Sequence, residues 1–196
     1  MGKEYVHLHA HSEYSILDGA VKIPDLLKHT KEKGMNALAL TDHGNLFGVI
    51  EFYKTALKYG IKPIIGMEAY IAENSLEEKN PNENLSHLTL IAENEKGYKN
   101  LLYLSTVSYL KGFYYKPRID KELLRNNSEG LIALSGCLKG EIPQKILRGD
   151  EEGAKKALLE FLDIFGKENF YLELQEIGLE ENIIVNKKLL EFAAQF

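Results

Sequence analysis

One cysteine, Cys137, in a chain of 196 residues excludes an internal disulfide and fits a reducing compartment. Long apolar runs are missing too. None reaches the roughly 20 residues needed to cross a bilayer, and the N-terminus lacks the charged-then-apolar order of a secretory signal. The expectation is a soluble, cytoplasmic protein with no membrane partner. Positive charge is in short supply, with 24 Lys and Arg against 29 Asp and Glu, a net charge of -5. Such a balance argues against a free-standing nucleic-acid binder, because non-specific affinity for phosphate backbones comes chiefly from Lys and Arg. Any nucleic acid needs a local site or a larger host protein. Internal repeats and low-complexity tracts are absent. With 44% hydrophobic residues the chain can bury one substantial core, so residues 1–196 read as a single domain.

What the sequence does have is histidine at alternate positions. The stretch 6–12 reads VHLHAHS, so a strand here sends His7, His9 and His11 out of one face. Neutral imidazole is the commonest protein ligand for transition metals. A surface strand that carries histidines by chance accounts for any one of them but poorly for three in register. A stripe buried without a metal leaves several ring nitrogens to satisfy.

Further along, apolar runs at 6–11, 37–41, 62–72, 88–92, 130–135 and 170–174 alternate with helical patterns. The latter cover 24–33, 47–59, 96–110, 142–147, 152–165 and 182–194. This alternation predicts an α/β fold with a parallel sheet and crossover helices, open or closed into a barrel. Residues 73–86, with Pro81 and several Asn, read as a surface loop. The chain stops inside or just after a helix with no strand following, so the unit looks unfinished.

Segment 41–48, TDHGNLFG, follows an apolar run, and in βα proteins functional residues gather where strands end. Asp42 and His43 stand there. Asn45 reads as an N-cap for the next helix, whose free N–H groups could hold a phosphate oxygen; a capped turn that Asp42 merely fixes is the plainer alternative. Glu68 is a carboxylate inside an apolar run, where burial demands a partner. Asp18 stands in what could be a simple turn, and Cys137 would by default be a small core residue. His87 opens its strand and so departs from the strand-end rule. His29 is assigned to solvent or packing. In 109–118, aromatics interleave with Lys111, Lys116 and Arg118, a composition suited to stacking on unpaired bases and neutralising phosphates. Packing of the rings into the core is preferred for Phe113 and Tyr114. Arg118 is read as a phosphate or site contact, because a guanidinium matches phosphate bidentately. Lys139 is read as a surface lysine.

Taken in order, HLHAHS, SILDG (15–19), TDHGNLFG, GIKPIIG (60–66), GFYYKPRID (112–120) and LSGCL (134–138) resemble the polymerase and histidinol phosphatase (PHP) domain of bacterial DNA polymerase III alpha subunits. The resemblance covers essentially the whole chain. It implies a distorted seven-stranded, TIM-like β/α barrel whose rim holds up to three metal ions. It carries metal ligation onto His9, His11, Asp18, His43, Glu68, His87 and Cys137. His7 matches a position that is Asp in many relatives and is read as a group behind the ligands, as is Asp42. The family pattern ends with an Asp-x-His pair on a further strand, which this sequence stops short of. The expectation is therefore a piece of a longer polymerase, without the palm, thumb and fingers, that does not synthesise DNA by itself.

A mixed set of His, carboxylate and Cys favours Zn2+, with Mn2+ or Fe as alternatives. Close metals can share a hydroxide and aim it at phosphorus. The resemblance thus implies a metal-dependent phosphoesterase, in the first place a proofreading 3'-5' exonuclease acting on a single-stranded DNA end, with pyrophosphatase activity a second proposal. The alternative is a metal-stabilised scaffold that docks the rest of the alpha chain, a sliding clamp or a separate proofreading subunit. A stand-alone phosphatase for a small ester is a weaker reading, against which the GFYYKPRID stretch speaks.

Overall fold

The computed structural model describes residues 5–16 and 18–196. Seven helices and seven strands alternate among them. They are α1 (Ile23–Glu32), β1 (Ala37–Leu40), α2 (Val49–Tyr59), β2 (Lys62–Ile71), β3 (Ser86–Ala92), α3 (Glu95–Leu110), β4 (Phe113–Tyr114), β5 (Lys116–Ile119), α4 (Lys121–Asn126), β6 (Leu131–Leu134), α5 (Glu141–Leu147), α6 (Glu151–Phe165), β7 (Phe170–Tyr171) and α7 (Glu180–Gln195). Local chemistry sets several boundaries. Asn94, Asp120 and Asp150 accept from the backbone N–H three residues on and start α3, α4 and α6. The hairpin β4–β5 and helix α4 are additions to the elements expected from hydrophobic pattern, being too short to show a period.

The sheet runs β4-β5-β2-β3-β6-β7, with β1 beside β2. It is mixed, which corrects the expectation of a parallel sheet. Strand β3 is antiparallel to both β2 and β6, while β1–β2, β2–β5 and β6–β7 are parallel. No helix intervenes between β2 and β3, only a polar loop, and antiparallel neighbours need no crossover. Strand β2 is the organiser. It pairs with β1 along residues 62–65, then through Glu68 with His43, then through Tyr70 and Ile71 with β5.

Residues 6–11 form no regular strand, a second correction. The segment does lie along β1, with Ala39 N donating to His7 O and Thr41 N to Ala10 O, both at 2.9 Å. The span 7–10 thereby faces the shorter span 39–41, and the extra residue is absorbed in a bend at Leu8 and His9. An added residue resets which face the following side chains take.

Two apolar clusters hold the fold. The larger packs α3, α5, α6 and α7 against β2, β3 and β6 and includes the buried rings of Phe161, Phe170 and Phe192. The smaller joins Ile23, Leu27, Leu38, Leu40, Phe52, Ala56 and Ile61 between α1, α2 and β1. A cleft of about 1410 Å3 is lined by residues of 5–9, the first half of β2, 91–98, β6 and 171–177. No helix among the described residues is long and apolar enough to cross a membrane.

Candidate metal centre

Glu68 is the hub. It sits on β2 with 1% of its surface exposed, beside the point where β1 leaves the sheet. Four imidazoles surround its carboxylate. His9 Nε2 lies 3.2 Å and His87 Nδ1 3.1 Å from Oε1, and His11 Nε2 lies 3.6 Å from Oε2. His43 Nδ1 faces Oε2 in direct contact, and the Cys137 thiol is 3.6 Å from Oε1 and 3.7 Å from His87 Nδ1. The His11 and His43 rings stack with centroids 4.1 Å apart.

Different elements deliver these groups. The bend at Leu8 and His9 aims His9 and His11 inward, while His7 is exposed against Tyr5, its ring centroid 4.8 Å away, and takes no part in the cluster. His43 follows β1. Gly44 behind it has φ of 62°, and a Cβ there would meet Pro117 at 2.7 Å, so glycine is required. His87 is the second residue of β3, yet the antiparallel ladder sets it opposite Tyr70 near the closing end of β2. That direction is why a strand start contributes to a site otherwise built from strand ends. Cys137 is half-buried in the turn after β6, where Gly140 forms a bridge to His87.

Behind the cluster, further groups fix the imidazoles. His11 Nδ1 lies 2.9 Å from the Thr41 carbonyl, which assigns the proton to Nδ1 and leaves Nε2 free toward Glu68. Buried Asp42 accepts from Ser12 N, Ser12 Oγ and Ser15 Oγ, and Ser15 Oγ in turn accepts from His43 N. It thereby ties the 12–15 turn to the residue after β1. Asp18, more than half exposed, sits 2.7 Å from His43 Nε2, on the far side of the ring from Glu68. Asn45 caps its own turn, accepting from Phe47 N and donating to His43 O, while α2 starts at Val49 without a side-chain cap. The N-cap expectation for Asn45 is corrected accordingly.

Two further placements differ from expectation. Arg118 is fully buried, and its guanidinium donates to Gly112 O, Glu78 O and Leu76 O and pairs with Glu83 at 2.5 Å. It clamps the 73–86 loop, and these partners engage Nε, Nη1 and Nη2, so the reading of Arg118 as a phosphate contact is corrected. Glu173, not singled out from the sequence, lies 2.7 Å from His9 Nδ1 and also accepts from Gln175 Nε2. Lys139 is exposed, its carbonyl accepting from His87 N. His29 is exposed beside Glu32.

Electrostatics follow from this crowding. Burial works against protonation of His9, but hydrogen bonds and charge from Glu173 and Glu68 outweigh it and push His9 up to about 10. Burial dominates at His11 and lowers it. For Glu68, burial is overcome by His43, His87 and His9, which hold the carboxyl far below the usual range. Burial, then Glu68, pushes Cys137 up to about 12. Tyr70, stacked 6.0 Å from His43, is also pushed up to about 12, by burial and by Glu68.

The donor atoms fit metal ions. His9, His11 and Glu68 bring ligand atoms within 4.8 Å of one another, and so do His43, Glu68 and His87. Glu68 belongs to both groups, one carboxylate shared by two triads. His43 Nδ1 and Glu68 Oε2 are buried without a hydrogen-bond partner, facing each other out of line for a hydrogen bond. Buried polar atoms are seldom left so, and a shared cation satisfies both.

A mixed sheet flanked by helices, with convergent imidazoles around a carboxylate, defines an α/β protein with a candidate metal centre. The chain belongs to the PHP domain family, whose model matches residues 7–177. It is 53% identical over 194 residues to the DNA polymerase III subunit alpha of Borreliella burgdorferi and 51% identical over 199 residues to that of Thermus aquaticus. Those matches cover 97% and 98% of this chain but 17% and 16% of the relatives, so it spans about one sixth of their length. Among solved structures, a candidate metal-dependent phosphoesterase from Bifidobacterium adolescentis superposes with a TM-score of 0.59, at 13% identity, over 98% of this chain and 84% of that one. That likeness shows the fold.

Proposed function

We propose that this chain serves as the PHP domain of a DNA polymerase III alpha subunit in DNA replication and hydrolyses phosphodiesters at the Glu68 centre, trimming single-stranded DNA from its 3' end. The observation that carries the reading is the shared carboxylate. Glu68 stands between His9 and His11 on one side and His43 and His87 on the other, with ligand atoms spaced for two cations. Asp18 and Cys137 at the margins extend the set toward a third.

His9, His11, Glu68, His43 and His87, with Asp18 and Cys137 at the margins, would hold the ions, and this mixture of nitrogen, oxygen and sulfur donors favours Zn2+, with Mn2+ or Fe as alternatives. Bound ions supply Lewis acidity toward phosphoryl oxygens and acidify water. The chain's own part is orientation. Thr41 O and Glu173 fix the His11 and His9 rings, and Asp42 holds the turn that seats His43 through Ser15. The same proposal takes the seven strands and their flanking helices as a distorted, TIM-like barrel, distorted in that β3 and β4 run antiparallel to their neighbours. Similarity to DNA polymerase III alpha subunits supports DNA and the remainder of an alpha chain as partners. A sliding clamp, a proofreading subunit and a cytoplasmic setting belong to the same proposal.

A second reading rests on the same hub. Side chains from the 9–11 segment, the β1–α2 turn, β3 and the turn after β6 meet at one carboxylate, so bound metal would also lock the rim as a scaffold for partners. Turnover separates the two. A 3'-labelled single-stranded DNA should be shortened in a Zn2+- or Mn2+-dependent way, and the His9→Ala, His43→Ala double variant should be inactive. Stoichiometric metal without cleavage would favour the scaffold.

A further inference from the structure

Outside the centre, the most distinctive surface is a row of exposed rings. Phe47, Tyr109 and Phe113 are 63%, 37% and 50% exposed, with centroids 5.7 Å apart for the first pair and 6.1 Å for the second. They come from the turn before α2, the end of α3 and strand β4, so three elements converge on the patch. Phe113 was expected to pack inward, and its exposure leaves an aromatic face in water.

Beside the row, the β4–β5 hairpin turns at Tyr115, which is 76% exposed with φ of 56°, the only non-glycine residue at positive φ among the described residues. An aromatic side chain in that conformation costs backbone strain that glycine avoids, and such strain collects at functional surfaces. Charge favours an anionic occupant. Segment 109–118 carries three cations and no Asp or Glu in a chain of net charge -5. Arg118 is consumed by the 73–86 loop, which leaves Lys111, exposed, and Lys116. The patch also leads to the centre. Lys116 Nζ lies 5.2 Å from the Tyr70 ring centroid, and that ring stacks on His43.

We propose that Phe47, Tyr109 and Phe113, with Tyr115 at the hairpin tip and Lys111 and Lys116 beside them, form a stacking platform for unpaired bases of single-stranded DNA whose end lies toward His43. Flat rings accept any base, and interleaved lysines meet the phosphates between them. The platform deepens the hydrolase reading and rests on it only for the direction of the strand.

Binding is therefore measured without turnover. Fluorescence anisotropy of a labelled oligo(dT) of about 12 nucleotides is followed in EDTA with the whole chain. The Phe47→Ala, Tyr109→Ala, Phe113→Ala triple variant should bind at least about 20-fold more weakly. Tyr115→Gly should also weaken binding while melting no lower than the parent, which separates recognition from folding. Lys111→Ala with Lys116→Ala should flatten the salt dependence. Photocrosslinking of an iodouracil oligonucleotide should label the three rings. Unchanged affinity in the triple variant, or crosslinks confined elsewhere, overturns the platform, and a protein-docking role for the patch would give that result. Firm binding in EDTA, with no cleavage of the same oligonucleotide once Zn2+ or Mn2+ is supplied in excess, would refute the hydrolase reading and leave the platform standing.

Discussion

Glu173 Oε1 lies 2.7 Å from His9 Nδ1, so a carboxylate 164 residues away determines which nitrogen of His9 points at Glu68. This is the carboxylate–histidine pairing that orients metal-binding imidazoles and raises their basicity. Glu173→Gln should lower Zn2+ affinity by about 10- to 100-fold with the far-UV circular dichroism unchanged. Chelator competition reads the affinity, and an unaltered value would remove Glu173 from the account.

The metal-free centre carries its own pH signature. His9, pushed up to about 10 from an ordinary 6.5, retains a proton that the unfolded chain has already lost above pH 6.5. Its stabilisation is complete below pH 6.5 and disappears as pH rises toward 10. Glu68, held low, works in the opposite window. Its contribution is present above the ordinary 4.5 and lost as the medium is acidified through its depressed value. In EDTA, the stability difference between the parent and His9→Gln should therefore shrink from pH 6.5 to 10. Metal uptake displaces the same proton, so Zn2+ affinity should climb over that range. Thermal melts and competition titrations check both, and a difference that widened with pH would contradict the ion-pair geometry.

Arg118 and Glu83 form a buried pair, and removing one partner strands the other. Arg118→Leu should cost about 3–5 kcal/mol, read as a lower denaturant midpoint. Loosened protection of amides in the 73–86 loop should accompany it, because Leu76 O and Glu78 O lose their donor. A variant as stable as the parent would mean that the loop is held by other contacts.

Part of the candidate site was legible from residue chemistry, while Asp18, His87 and Cys137 entered it only through the resemblance to PHP domains. A glutamate inside an apolar run needs a partner, and Glu68 has four imidazoles. The same logic applied to the run at 170–174 would have found Glu173. Strict period-two reasoning failed at His7, since the bend at Leu8 and His9 is invisible to alternation. Strand direction was misjudged because strand–helix alternation implies crossovers, yet the 73–86 stretch, already read as loop, leaves β2 and β3 free to pair antiparallel. Arg118 reads as a phosphate contact from composition, which cannot reveal that carbonyls of the 73–86 loop surround it.

The shared carboxylate is tested most directly by metal content. After loading with Zn2+ and gel filtration, elemental analysis should give at least two ions per chain in the parent. Glu68→Gln should lose more than one of them, because both triads contain that residue. Retention of the full complement in Glu68→Gln, or a parent that holds no Zn2+, would contradict the account.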